Sequence, residues 1–156
     1  MNSVPTHQWL CENIVQQIST ALIFGDHEGI VRLWNAGAES MFGWSADEAL
    51  GKSIDMIIPE KHRARHWEGY FHVMETGLTK YGQSVLAVPA LTKDGRRISI
   101  EFNVALLKDA DGRVLGAAAS IQDVTARWER DKALRARLAE LEAKLKHAGV
   151  AAEEKS

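Results

Sequence analysis

Two histidines, His62 and His66, stand four residues apart in PEKHRARHWEGYFHVMETG, residues 59–77. That spacing brings two imidazoles to one side of a helix, within reach of a single metal ion. The glutamate of a zinc-protease HExxH is missing, and the intervening Arg-Ala-Arg would oppose a further cation, so a shared zinc is disfavoured. His66 carries more information by itself. On a helix it shares a face with Tyr70, Val73 and Met74, at offsets of four, seven and eight, while Arg63, Glu68, His72 and Glu75 mostly point elsewhere. An imidazole on an apolar stripe can bind iron through one nitrogen and leave the other for a backbone carbonyl or water. It can equally be a packing histidine whose nitrogens are satisfied locally. Arg63 and Arg65 read as a solvated helix face rather than, with Trp67, a nucleic-acid patch, and Trp67 reads as a core or rim aromatic. Cys11 has no evident histidine partner, and no GxSxG, P-loop or GxGxxG occurs, so no nucleophile is assigned.

The elements that must hold this segment follow from periodicity. Leu10, Ile14 and Ile18, with Trp9 and Val15 beside them, form one stripe of an amphipathic helix over residues 7–19. ALIFGDHEGIVRLWN reads as a β-hairpin around Asp26-His27-Glu28-Gly29. From Asn35 to Ile58 short helical pieces are broken by Gly43 and Gly51, and Ser45 with Glu48 has the form of a capping box. Pro59 opens a longer helix to about Glu75, stopped at Gly77. Three antiparallel strands follow, Gln83–Thr92, Arg96–Lys108 and Arg113–Asp123, separated by turns containing Asp-Gly. In the middle strand Ile98, Ile100, Phe102 and Val104 alternate with Ser99, Glu101 and Asn103, which makes one face apolar. Beyond Thr125 the leucines at 134, 138, 141 and 145 fit the a and d positions of barely two heptads, with Arg137 at g and Glu142 at the next e. The expected divisions are an N-terminal helix at 1–18, a central domain at 19–124, a dimerising helix at 125–148 and a frayed tail at 149–156.

The 156 residues allow one ordinary domain with an appended element. At 46% hydrophobic and 26% charged residues the chain can build a core, and a formal charge of −2 provides no field for nucleic acid or an acidic membrane. A single cysteine allows neither an internal disulfide nor a cysteine zinc cluster. Apolar runs fall far short of the roughly 20 residues that span a bilayer, and no leader pattern opens the chain, so a cytoplasmic location is expected.

The element order, LWNAGAESMFGWSADEALGKSIDMIIPE, the Lys93-Asp94-Gly95 turn and the closing Gln122-Asp123-Val124-Thr125 closely resemble a PAS domain over about Ser19 to Thr125. The resemblance implies an α+β fold, a five-stranded antiparallel sheet with helices over one face enclosing a cavity, and an Asp-Val-Thr segment coupling the last strand to a signalling helix. A flavin photosensor of this family needs a cysteine in its ligand-facing helices, and Cys11 precedes the domain. The 59–77 segment is similar instead to the long helix of the haem-binding PAS oxygen sensors of the FixL and Dos type, whose iron-ligating histidine matches His66. The spacing from His66 to the Asp-Gly turn fits both without a gap. The same spacing puts Leu86 where those sensors carry an oxygen-contacting arginine, and Ser84 where the Dos type carries an iron-capping methionine. Tyr81, Phe102 and Val104 fill the other distal positions, and His72 and Lys80 fall where haem propionates would lie; either could instead be a solvated surface residue.

The expected function is therefore a homodimeric module, not an enzyme, that binds haem b through His66 and senses oxygen, carbon monoxide or nitric oxide. Tyr70, His72, Met74, Lys80, Tyr81, Ser84, Leu86, Phe102 and Val104 would surround the haem, and the flanking helices would signal, with a separate output protein as a further partner. Two alternatives stay open. One is a haem-free dimerisation module whose cavity is filled or holds a small organic ligand. The other, a haem enzyme with peroxidase-like activity, is disfavoured because no distal acid-base pair is visible.

Overall fold

A computed structural model describes residues 4–79 and 86–153. Helix α1, His7–Gln17, starts at Thr6, whose hydroxyl accepts from the Trp9 amide. Strands β1, Ala21–Asp26, and β2, Val31–Trp34, form the hairpin. Then come α2, Ala36–Phe42, α3, Ala46–Ala49, and a 3₁₀ turn at Ile54–Ile57. The Ser45–Glu48 capping box is present at the start of α3. Helix α4, Glu60–Thr76, follows Pro59 and ends at Gly77, whose φ of +65° is the left-handed conformation that stops a helix and suits glycine. Strands β3, Leu86–Leu91, β4, Arg97–Lys108, and β5, Val114–Asp123, complete the sheet.

The sheet has the order β2-β1-β5-β4-β3 with every neighbour antiparallel. The α2–α4 segment therefore carries the chain from one edge of the sheet to the other. This is the five-stranded α+β architecture that the resemblance implied. Register sorts the side chains into two faces. Ile23, Ile121, Phe102 and Ala119 fall on one face with Val104 and Ile100, because Ile23 stands opposite Ala119, Ala119 opposite Val104, and Ile121 opposite Phe102. That face meets α2, α3 and the 3₁₀ turn in a core of Ile23, Val31, Trp34, Phe42, Ile57, Ile98, Ile100 and Ile121, with the Trp34 and Phe42 rings 5.5 Å apart. Burying such side chains is the main stabilising contribution to the domain.

The opposite face carries Leu22, Phe24, Leu33, Ala105 and Leu107, which together with Val15 of α1 line a groove of about 530 Å³. Trp9, Leu10 and Ile14 of α1, and Ile18 just beyond its end, are exposed.

From Val124 onward the chain forms a separate unit. Helix α5 runs Thr125–Glu153, past the expected end at Ala148, since Gly149 costs a helix only about 1 kcal/mol relative to alanine and no proline follows it. Leu134, Leu138, Leu141 and Leu145 are exposed along it. Glu140 pairs with both Arg137 and Lys144 within the helix, so Arg137 already has an intrahelical partner in a single chain.

Candidate functional site

Helix α4 packs against β5 and carries a band of neighbouring rings around His66. The His66 ring lies 5.7 Å from that of Tyr70, tilted by 32°, and 5.0 Å from that of Trp67, nearly edge-on. Trp67 and Phe71 stack at 5.4 Å. His66 is half-buried, and its Nδ1 is shut away from solvent without a hydrogen-bond partner. Burial lowers the His66 pKa, and the nearby Asp55 carboxylate opposes that shift only in part. The ring is thus held towards its neutral form, the form that can offer a nitrogen lone pair to a metal. Nε2 of His62 is likewise buried without a partner. No cluster of three or more metal-ligating side chains occurs among the described residues.

Tyr70 sits one turn beyond His66 and uses its hydroxyl on the main chain. The oxygen lies 2.6 Å from the Asp26 carbonyl and 3.0 Å from that of Gly25, and its single proton serves one of them at a time. Burial, with the Asp26 charge, pushes the phenol up to about 12, so it remains a donor at neutral pH. Met74 is 4% exposed, which fits its predicted place on the inner stripe, while His72 is exposed and its carbonyl accepts from the Thr76 hydroxyl.

Phe102 and Val104 occupy alternate positions on the inner face of β4, and Phe102 packs against the core. Leu86 stands opposite Phe102 in the β3–β4 register. Opposite Val104 and Leu106, β5 carries the small side chains of Ala119 and Ala117. Among the described residues no hydrogen bond or ring contact joins His66 to Phe102 or Val104. Lys80, Tyr81 and Ser84 lie outside the described residues.

Three features escaped the sequence reading. Arg63, taken as solvated, is half-buried and donates to the Ile58 and Asp55 carbonyls, at 3.1 and 3.3 Å. Trp67 donates its Nε1–H to Asp55 Oδ1 at 2.7 Å. Asn35 is fully buried: Oδ1 accepts from the amides of Leu22 and Ala38, and Nδ2 faces the carbonyls of Val15, Ile18 and Thr20. Its only sequence signal was an asparagine at a helix N-cap.

The residues of α4 suit a haem: a half-buried imidazole held towards its neutral form, with a buried nitrogen that has no partner, and an apolar sheet face with small residues at its centre.

Comparison with known proteins agrees with this architecture. The chain is 38% identical over 61 residues to the sensor protein FixL of Bradyrhizobium diazoefficiens, which covers 39% of this chain and 12% of that protein. It is 27% identical over 99 residues to the oxygen sensor protein DosP of Escherichia coli, covering 64% of this chain and again 12% of the relative. The chain thus spans a small part of the curated relatives it matches. Among solved structures, the PAS domain of a Colwellia psychrerythraea protein superposes with a TM-score of 0.66 at 20% identity, covering 75% of this chain and 96% of that one. An RNA-binding light-oxygen-voltage receptor superposes at 0.70 and 22% identity, covering 94% of this chain and 41% of that one. These two likenesses establish the fold alone. The family model described as the PAS fold matches residues 10–124, and the chain belongs to the PAS family.

Proposed function

We propose that the chain is a cytoplasmic, non-enzymatic PAS sensor module that holds haem b through His66 and responds to a diatomic gas. The observation that carries this reading is the His66 imidazole: half-buried, held towards its neutral form, and with a buried ring nitrogen that the fold leaves without a partner. The similarity of its segment to the haem-binding sensors, and the match to an oxygen sensor protein, support it further. When bound, the group supplies reversible binding of a diatomic gas at its iron. His66 would hold the iron through an imidazole nitrogen. Met74, Phe102 and Val104 would exclude water, and His72, exposed on α4, would meet a propionate carboxylate by a charge-assisted hydrogen bond. The apolar stripe of α1 and the leucine seam of α5 would hold two copies together and pass the signal to an output protein, and sedimentation of the intact chain tests that dimer.

A second reading, a haem-free interaction module, is favoured by one observation: Trp34, Phe42 and Ile23 are fully buried and already fill space beneath the sheet. An absorption spectrum of protein produced with ample haem separates the two. A Soret band in the wild type, lost in His66→Ala or recovered there with added imidazole, is the expected result. A colourless wild type would favour the interaction module, and unaltered haem in His66→Ala would remove His66 from the axial role.

A further inference from the structure

Helix α4 carries His66, yet neighbouring side chains fix the helix in place. One residue on, the Trp67 indole bonds Asp55, and its ring lies so close to Gly29 that a Cβ there would meet ring carbon Cη2 at 2.2 Å. One turn on, the Tyr70 hydroxyl spans to the carbonyls of Asp26 and Gly25, and a Cβ at Gly25 would meet that hydroxyl at 3.0 Å. Both contacts fall on the β1–β2 turn, which is itself tightly bonded. Asp26 Oδ1 accepts from the Glu28 and Ile30 amides, its Oδ2 pairs with Arg32 at 2.7 Å, and the Gly29 amide donates to the same Asp26 carbonyl that Tyr70 reaches. Gly25 and Asp26 stand opposite Ala117 and Gly116 of β5, the strand that leads in sequence into α5.

We infer that Tyr70 is the positioning residue for His66, and that its hydroxyl couples movement of α4 to the β1–β2 turn and through it to β5. The coupling rests on the haem-sensor reading; the anchor itself does not. Residues 66 and 70 are one hydrogen-bonded helical turn apart and move together, so a displacement of His66 reaches the Tyr70 oxygen almost undiminished. A carbonyl hydrogen bond is directional, and a shift of the oxygen must either drag the turn or break the bond.

Amide hydrogen exchange tests both parts. In haem-free protein, Tyr70→Phe keeps the ring and removes the hydroxyl, and should speed exchange of the Asp26, Gly29 and Ile30 amides about fivefold, the worth of one net hydrogen bond. Unchanged exchange there would overturn the anchor. In haem-loaded ferrous protein, carbon monoxide should alter exchange at the β1–β2 turn and at Gly116 and Ala117. Gly25→Ala, which leaves every α4 side chain in place but crowds the Tyr70 oxygen, should abolish that response. Its iron–histidine stretching band in the resonance Raman spectrum should also shift. A full response with an unshifted band in Gly25→Ala would overturn the coupling. A wild type without a Soret band would overturn the haem-sensor reading and the coupling with it, and the first comparison would still decide the anchor.

Discussion

Asn35 and His66 are both polar side chains set among apolar ones, and the fold treats them in opposite ways. Asn35 is fully buried with both ends of its amide engaged: two main-chain amides bond its oxygen, at 2.8 and 3.0 Å, and the nearest carbonyl lies 2.9 Å from its nitrogen. Those bonds gather the end of α1, the start of β1 and the first turn of α2 around one side chain, and Gly37 lets α2 approach, since a Cβ there would meet the Thr20 carbonyl at 2.4 Å. The His66 imidazole has a buried Nδ1 bonded to nothing. A buried polar atom left unpaired costs about 1–3 kcal/mol. Asn35 is consumed by the structure, whereas His66 holds bonding capacity in reserve at a cost that a ligand would remove.

The sharpest way to break this contrast is to delete each side chain. Asn35→Ala strands the Leu22 and Ala38 amides inside the domain, and should destabilise the protein by about 2–4 kcal/mol in urea titrations. His66→Ala removes a group that the fold does not satisfy, and should change the stability of haem-free protein by no more than about 1 kcal/mol. The optical effects should be reversed, with the Soret band kept in Asn35→Ala below its unfolding midpoint and lost in His66→Ala. If His66→Ala proved as destabilising as Asn35→Ala in the haem-free protein, His66 would be a packing residue.

A smaller effect sharpens the chemistry of the far wall. In the described part of β3, β4 and β5, the inner-face positions opposite and beside Leu86 are apolar, among them Phe102, Val88 and Val104. Oxygen draws negative charge as it binds ferrous haem and gains from a nearby cationic donor, while carbon monoxide gains little. Leu86→Arg should therefore raise oxygen affinity selectively, by at most about 1.5–3 kcal/mol. Paired oxygen and carbon monoxide titrations measure it, and an unchanged ratio at constant haem content would place position 86 away from the gas.

The sequence reading did best where the physics is local. The α4 boundaries follow from Pro59 and Gly77, the β4 face from a period of two, and the α3 start from Ser45 and Glu48, all set by neighbours within a few residues. The place of His66 on the inward stripe was legible because that stripe follows the helical period. What was hidden was the set of bonds between distant positions: Tyr70 to Asp26 across 44 residues and Asn35 to Val15 across 20. Residue type announces a donor, but only the fold chooses its acceptor, and that choice separates a tyrosine lining a cavity from one that anchors a helix. The α5 boundary slipped because Gly149, a residue that often ends a helix, is here carried within it by one more turn.

The smallest effect is a pH slope. Burial lowers the His66 pKa from its ordinary 6.5, with Asp55 opposing, so the unfolded chain takes up the proton more readily than the folded one. Stability from this group is complete above 6.5 and falls as the pH drops through the window between the unfolded value and the lower folded one. Titrations of haem-free wild type and His66→Ala, from about pH 7 to about pH 5, isolate the contribution, because the other histidines and carboxylates are common to both proteins. Asp26 is shifted as well, since its bonds from Arg32 and the Ile30 and Glu28 amides outweigh burial and lower its pKa. Its loss therefore comes below the carboxylate range and outside this window. The wild type should lose more stability than the variant as the pH falls, and ligation should steepen the loss in haem-loaded wild type, because an imidazole nitrogen bound to iron cannot take up a proton while the unfolded chain still can. Parallel slopes in the haem-free pair would mean that the imidazole is as well solvated in the folded protein as in the unfolded chain, and the contrast with Asn35 would then lose its basis.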